Sequence, residues 1–105
     1  MIKRISLVAR KEGMSPEAFR QHWMGPHAAI VRQLQNLRGL RFNPIIDPSA
    51  SEWDGIGELW FDSVADADAA FTAEPVRSLL AEDRPKFLGR NQVYFVTEHT
   101  VIAPA

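Results

Sequence analysis

A histidine that directly follows a break in a helical pattern is the first candidate for chemistry in this sequence. The segment from residue 19 to 31 reads FRQHWMGPHAAIV, and Gly-Pro interrupts it just before His27. An imidazole titrates near neutral pH, so His27 in an apolar cavity could act as a general acid or base. Alternatively, His27 is a core residue whose nitrogens bond backbone groups that Pro26 leaves free. The sequence pattern leaves both interpretations open.

The other two histidines carry weaker signals. His22 precedes Trp23 beside the apolar stripe of the helix, and we expect it to face solvent or, as the alternative, the mouth of a cavity. His99 lies near the end of the last predicted strand, at the surface or in a contact between two copies of the chain. The three histidines do not follow a ligand spacing such as HExxH, and the chain has no cysteine, so we expect no metal site.

A second polar group falls on the predicted third strand. Period-two alternation places Asp54, Glu58 and Trp60 on one face. A carboxyl group held beside an indole and away from water favours its protonated form, which suits acid–base work for Glu58. Alternatively, Glu58 forms an ion pair with Arg41 on the neighbouring strand, and that pair would anchor a carboxylate or phenolate ligand.

An amide and two indoles complete the candidate site. Asn43 could donate a hydrogen bond to a developing enolate oxygen, or it could be a strand-end residue before Pro44. Trp23 and Trp60 could belong to the core or form the wall of a ligand site, and Trp60 is the better candidate for a wall. The site predicted from these residues has catalytic groups His27, Glu58 and Asn43, with substrate contacts from Arg41, Trp60, Trp23, His22 and Asp54.

The elements that must position these groups can be predicted from periodicity and capping signals. Ser15-Pro16 is a strong helix start, and Ser63 is the N-cap of a later helix. Pro26 clashes with the carbonyl of His22, so the first helix is expected to kink or stop near Met24-Gly25 and continue to about Leu37. Alternation and β-branched or aromatic content predict strands at residues 2–10, 40–46, 54–61 and 92–101.

The resulting order, β-α-β-β-α-β, predicts an α+β ferredoxin-like fold with a four-stranded antiparallel sheet and helices on one face. The open face is expected to carry Trp60, Ile56, Ile45 and Val8, which is too apolar to leave bare in water. A second copy of the sheet, packed face to face in a C2 homodimer, would cover it. An apolar cavity between the two sheets, with a few polar groups, would suit a small molecule.

Length and composition restrict the class of protein. The chain has 105 residues, which predicts one domain spanning residues 1–105. Its formal net charge is -1, from 12 basic and 13 acidic side chains, which argues against a nucleic-acid partner. There is no signal-peptide h-region and no apolar run of about 20 residues, so we expect no membrane segment and a cytoplasmic protein.

Short motifs in a fixed order make the sequence resemble the EthD-like proteins, and within that group the methylmuconolactone methylisomerases. They are GMS at 13–15, FR at 19–20, HW at 22–23 followed by His27, GIGELWF at 55–61, Asp83, FLG at 87–89 and FVTE at 95–98. The resemblance implies a dimeric α/β barrel, no metal or organic cofactor, and isomerisation, dehydration or cyclisation chemistry. It also implies a catalytic or substrate-binding role for His27. The second strand has no tyrosine of the methylisomerase type, and Asn43 is the nearest polar residue.

The sequence therefore predicts an isomerase or lyase that needs no cofactor and acts on a small cyclic or aromatic-derived metabolite. His27 would abstract and return a proton, while Asn43, Arg41 or Glu58 polarises the substrate. The alternative is a non-catalytic small-molecule binder or an accessory protein of a catabolic or polyketide pathway. A haem-using monooxygenase with His27 as axial ligand ranks lower, because no other residue argues for haem.

Overall fold

Four β-strands form one antiparallel sheet with the helices on one face, in a computed structural model that describes residues 1–105. The chain order is β1 (Ile2–Arg10), α1 (Pro16–His22), a π-helical turn (Trp23–His27), α2 (Ala28–Val31), β2 (Gly39–Pro44), β3 (Gly55–Phe61), α3 (Val64–Thr72), α4 (Val76–Asp83) and β4 (Leu88–Val96). Across the sheet the strands lie in the order β2-β3-β1-β4. The predicted ferredoxin-like arrangement is confirmed.

Strict alternation along β3 separates the two faces of the sheet. Leu59 and Phe61 are buried beneath the helices, whereas Ile56, Glu58 and Trp60 lie on the opposite face. The core beneath the helices has two parts. One contains Val31, Leu34, Leu59, Phe61, Ala67, Ala70, Val76 and Leu80, and the other contains Val8, Phe19, Trp23 and Phe87.

Of the two predicted outcomes at Gly25-Pro26, a kink or a stop, the first helix does not stop but passes through with a local distortion. It begins at an N-cap in which Ser15 Oγ accepts a hydrogen bond from a backbone N–H. At the proline the helix widens into a π turn, in which the N–H of Ala28 donates to the carbonyl oxygen of Trp23, five residues earlier. The wider turn accommodates a residue that has no N–H and would crowd a regular helix. Regular helix then ends at Val31 rather than near Leu37.

Two further predictions about the sheet are corrected by its register. Val8 pairs with Gly55 and is buried on the helix side, so it does not belong to the open face. β4 ends at Val96 rather than residue 101, because Val96 pairs with Lys3 near the start of β1 and little strand remains beyond it to pair with. No helix has the length and apolarity needed to cross a membrane.

The close approach of Trp23 to β3 gives a stability prediction. A Cβ added at Gly55 would collide with the Trp23 indole, whereas one added at Gly57 would meet its nearest neighbours at 3.7 Å, an ordinary contact. We therefore expect Gly55→Ala to lower the free energy of unfolding by about 1–3 kcal/mol, measured by urea denaturation. Gly57→Ala, on the same face of the same strand, is the control. An equal loss in both variants would contradict this account of the packing.

Candidate active site

A cavity lies between the helices and the helix-facing side of the sheet. Nine of the fifteen residues that line it are hydrophobic, and a mostly apolar wall with a few polar groups is typical of a small-molecule site. The space inside is about 50 Å³, which holds a few water molecules. A ring-sized ligand therefore needs lining side chains to move. The lining residues are Arg4, Ser6, Val8, Trp23, His27, Val31, Phe42, Gly57, Leu59, Phe71, Leu80, Arg84, Phe87, Leu88 and Asn91.

The buried carboxylate of Asp83 lies between two imidazoles at the edge of this cavity. Its Oδ2 is 2.9 Å from Nδ1 of His27, and its Oδ1 is 2.7 Å from Nε2 of His22. Asp83 is the last residue of α4 and is only 4% exposed. An ionised carboxylate can only accept hydrogen bonds, so both imidazoles donate to it. The carboxylate thereby fixes the His27 tautomer with the proton on Nδ1.

The second nitrogen of His27 is free for a ligand. No protein group forms a hydrogen bond with Nε2, and no side-chain nitrogen or oxygen in the structure is both sealed from solvent and unpartnered. Nε2 is therefore accessible, and His27 is one of the residues that line the cavity. In this tautomer Nε2 carries the lone pair, so it can accept a proton from a bound molecule.

Burial and hydrogen bonding keep the imidazole neutral and the carboxylate charged. Burial is the largest cause that lowers the pKa of His27, and the hydrogen bond and charge of Asp83 oppose it only in part. Burial by itself would raise the pKa of Asp83, but hydrogen bonds from His22 and His27 outweigh it and hold that pKa below its usual value. Near pH 7 the pair therefore consists of a neutral base and an anion.

Aromatic rings hold the two imidazoles in place. The Phe87 ring centroid lies 4.8 Å from those of both His22 and His27. Phe42 stacks on Trp23 at 4.5 Å and lies 6.2 Å from His27. Trp23 is thus part of the cavity wall and the core together. His22, which we expected to face solvent, instead faces inward to Asp83 because Phe87 covers its ring.

Glu58 and Asn43 lie on the opposite face of the sheet from His27, which differs from the predicted grouping. Glu58 accepts hydrogen bonds from Lys3 at 2.6 Å and from Asn43 at 2.9 Å, so Lys3 takes the place expected for Arg41. Burial acts to raise the pKa of Glu58, but these donors hold the pKa below its usual value. The predicted protonated carboxyl group beside an indole is therefore wrong.

The remaining predicted residues lie outside the cavity. Arg41 places its guanidinium carbon 5.4 Å from the centroid of the Trp60 ring, on the face that no helix covers. Asp54 is buried and accepts hydrogen bonds from the backbone N–H of Arg10 at 2.8 Å and from its guanidinium at 2.6 Å. This pair holds the end of β1 beside the start of β3. No group of three His, Asp or Glu side chains is placed to hold a metal ion.

Asp83 is the site residue that the sequence reasoning missed. Val76, Leu80, Asp83 and Phe87 follow one another at spacings of four, three and four residues, which is the spacing of one helix face. Asp83 is the only polar residue among these four. A carboxylate at a position of the helix that is expected to be apolar is the signal from which the sequence could have predicted Asp83 as a site residue. Arg4 and Arg84 also line the cavity and are not among the predicted site residues.

The fold and this site define a ferredoxin-like α+β protein with an imidazole–carboxylate pair beside an internal cavity. The family model for the EthD domain matches residues 11–91. The match covers most of the chain, which therefore belongs to the EthD family. No match is found among curated protein sequences.

Three solved structures show how widely this fold is shared. An EthD family protein from Bacillus halodurans C-125 is 22% identical, with a TM-score of 0.77 over 94% of this chain and 99% of that one. A dimeric protein of ferredoxin-like fold from Bacteroides fragilis is 12% identical, with a TM-score of 0.70 over 90% and 92%. The hydroxynitrile lyase from Passiflora edulis is 16% identical, with a TM-score of 0.71 over 96% of each chain. At these identities the likeness establishes the fold alone.

The opposing effects on His27 give a prediction for its titration. Asp83→Asn removes the charge that raises the pKa of His27 and leaves the burial that lowers it. We expect the His27 pKa, followed by NMR of the ring protons, to fall below its wild-type value. Asp62→Asn, at an exposed carboxylate that pairs with Arg38, should leave the titration unchanged. A higher His27 pKa in Asp83→Asn would disprove this assignment of the pair.

Proposed function

We propose that the protein is an isomerase or lyase that needs no cofactor and moves a proton on a small cyclic or aromatic-derived metabolite. The observation that carries the proposal is the arrangement of His27, with Nδ1 bonded to a buried carboxylate and Nε2 unpartnered at the cavity. A histidine base whose second ring nitrogen is hydrogen-bonded to a carboxylate, which fixes its orientation, is a recurring arrangement in acid–base catalysis. Proton transfer changes no oxidation state, so the chemistry requires no redox cofactor.

Each proton in the proposed reaction has a defined place. A substrate C–H bond breaks, the proton passes to Nε2, and the electron pair stays on the substrate. His27 is then an imidazolium, and the Asp83 carboxylate 2.9 Å from Nδ1 stabilises the new charge. The proton returns to a different atom in an isomerisation, or passes to a leaving group in a lyase reaction. Asp83 acts through His27 and is a positioning residue.

A hydroxynitrile lyase with the same fold supports the proposal, since it shows that this architecture can hold a lyase site. Glu58 and Asn43 have no part in the proposed step because the sheet separates them from Nε2. The polar groups that remain available to polarise a substrate are those that line the cavity. Of these, Arg4, Ser6, Arg84 and Asn91 form no side-chain hydrogen bond within the protein.

One observation favours a second candidate, a non-catalytic small-molecule binder. Asp83 joins α4 to α1 and to the π turn through His22 and His27. Hydrogen bonds that join helices in this way would also stabilise a binding protein that performs no reaction. The two candidates differ in whether a bound compound is converted, which the first experiment below measures.

We also propose that two copies pair through the open sheet face as a C2 homodimer. Ile5, Leu7, Ile56 and Trp60 lie on the face that no helix covers and are only partly buried in the single chain. Packing a second sheet there would remove this apolar surface from water. A dimeric protein of the same fold from Bacteroides fragilis supports this arrangement.

The test of the enzymatic proposal is turnover of muconolactones in D₂O, followed by proton NMR. We expect product formation or deuterium incorporation, slowed roughly 10²–10⁴-fold in His27→Gln because the base is lost. Asp83→Asn should give a smaller loss. His99→Gln, at an exposed histidine outside the cavity, is the control. A compound that binds without conversion favours the binder, and turnover within a few-fold of wild type in His27→Gln rejects the role of His27.

The dimer is tested by light scattering on purified protein. Wild type should have the mass of two chains, and Ile5→Glu should have the mass of one, because the new charge would be buried between the sheets. Ile46→Glu is the control, since Ile46 is 98% exposed in a loop outside the face. Circular dichroism checks that both variants fold. A monomeric wild type, or a folded Ile5→Glu dimer, would rule out this interface.

A further inference from the structure

The charged side chains that line the cavity all carry the same sign. Arg4 and Arg84 line it, and no aspartate or glutamate does. Neither arginine forms a salt bridge, whereas Arg10 and Arg38 each pair with an aspartate elsewhere in the molecule. Two arginines that form no salt bridge, on the wall of a mostly apolar cavity, require an explanation.

Arg4 is held in an orientation that leaves its donors free. It lies on the helix-facing side of β1, and its guanidinium carbon is 4.1 Å from the centroid of the Phe71 ring. Stacking uses the flat face of a guanidinium and leaves the N–H groups at its edge. These N–H groups have no acceptor in the protein, and none of them is sealed from solvent. They are available to a ligand.

Arg84 lines the same cavity as Arg4 and His27. Burial is the largest cause that lowers the pKa of Arg4 to about 10. The charge of Arg84 lowers this pKa further and the charge of Asp68 acts against it, and Arg4 remains charged at neutral pH. The charge of Arg84 also acts on His27, where it lowers the pKa. A guanidinium that is partly withdrawn from water and repelled by another cation is in an electrostatically unfavourable environment, which an anion would improve. A negatively charged ligand would supply the missing partner.

We propose that the cavity takes a small organic carboxylate, whose two oxygens bind the guanidinium groups of Arg4 and Arg84. The planar fork of a guanidinium matches a carboxylate in geometry and charge. The apolar wall, which includes Phe42, Leu59 and Phe87, receives the hydrocarbon part. This inference rests on the proposed function and deepens it, because it names the substrate class.

The carboxylate is an anchor and does not react. A negative charge on a carboxylate makes a neighbouring C–H less acidic, so the proton that His27 removes lies on a different carbon, next to an uncharged electron-withdrawing group. Fixing one end of the molecule at Arg4 and Arg84 orients that carbon toward Nε2. The expected substrate therefore carries a carboxylate at one end and an activated carbon at the other.

The test compares acids with their neutral amides. Wild-type protein is titrated with crotonate and benzoate, and separately with crotonamide and benzamide, by two-dimensional ¹H–¹⁵N NMR. We expect each acid to bind at least about tenfold more tightly than its amide, because a hydrogen bond between charged groups is stronger than a neutral one. The acids should shift resonances of Arg4, His27 and Arg84. Equal affinity for acid and amide, or no binding of either acid, would overturn the proposal.

Variants locate the anion site. Arg4→Gln and Arg84→Gln should each weaken binding of the acids by about tenfold. Arg77→Gln, which removes a positive charge from an exposed position outside the cavity, should stay within about twofold of wild type. Arg84→Gln keeps the test valid if Arg4→Gln does not fold. Acid binding within about twofold of wild type in both cavity variants would overturn the assignment.

The same titration separates this inference from the proposed function. His27→Gln should still bind the acids, because the arginines remain. Acid binding with no His27-dependent turnover would leave the anion site standing and remove the enzymatic proposal. His27-dependent turnover of neutral substrates in preference to acids would support the enzymatic proposal and overturn the anion site.

Discussion

The hydrogen bonds from two imidazoles to the Asp83 carboxylate are the interaction on which the site depends. They connect the helical segment that carries His22 and His27 to the end of α4, so they fix both the helix packing and the orientation of a base. A buried carboxylate is costly unless it is hydrogen-bonded, and each of its oxygens has an imidazole partner. The same bonds that satisfy Asp83 leave Nε2 of His27 without a protein partner, on a side chain that lines the cavity.

The two faces of the sheet have different surroundings, one beneath the helices and one that no helix covers. On the helix side, small and apolar residues of β3 leave space for Trp23 and for the cavity. On the other side, Lys3 and Glu58 form a short ion pair within a partly apolar face. Successive side chains of a strand point to opposite faces of the sheet, so each strand residue contributes to only one of the two surfaces. This alternation places Glu58 on the open face, whereas His27 lies on the helix side of the sheet.

The electrostatics of the cavity fit proton transfer on an anion. The imidazole is neutral because burial disfavours its charged form, while Arg4 keeps its charge despite partial burial. A neutral base beside fixed cations can accept a proton from a negatively charged molecule without first losing one to solvent. The π turn contributes by carrying the helix through Pro26, so that His27 continues the buried side of the helix.

The sequence by itself determined the order of elements, the antiparallel sheet and the family, and it singled out His27 as a candidate site residue. Those features depend on local periodicity, on caps such as Ser15, and on motifs that are contiguous in the chain. Only the tertiary structure decided that Asp83 pairs with His27 across 56 residues, that Lys3 rather than Arg41 neutralises Glu58, and that the cavity lies on the helix side. Such pairings depend on strand register and helix packing between distant segments, and no local pattern in the chain specifies which charged group reaches which partner.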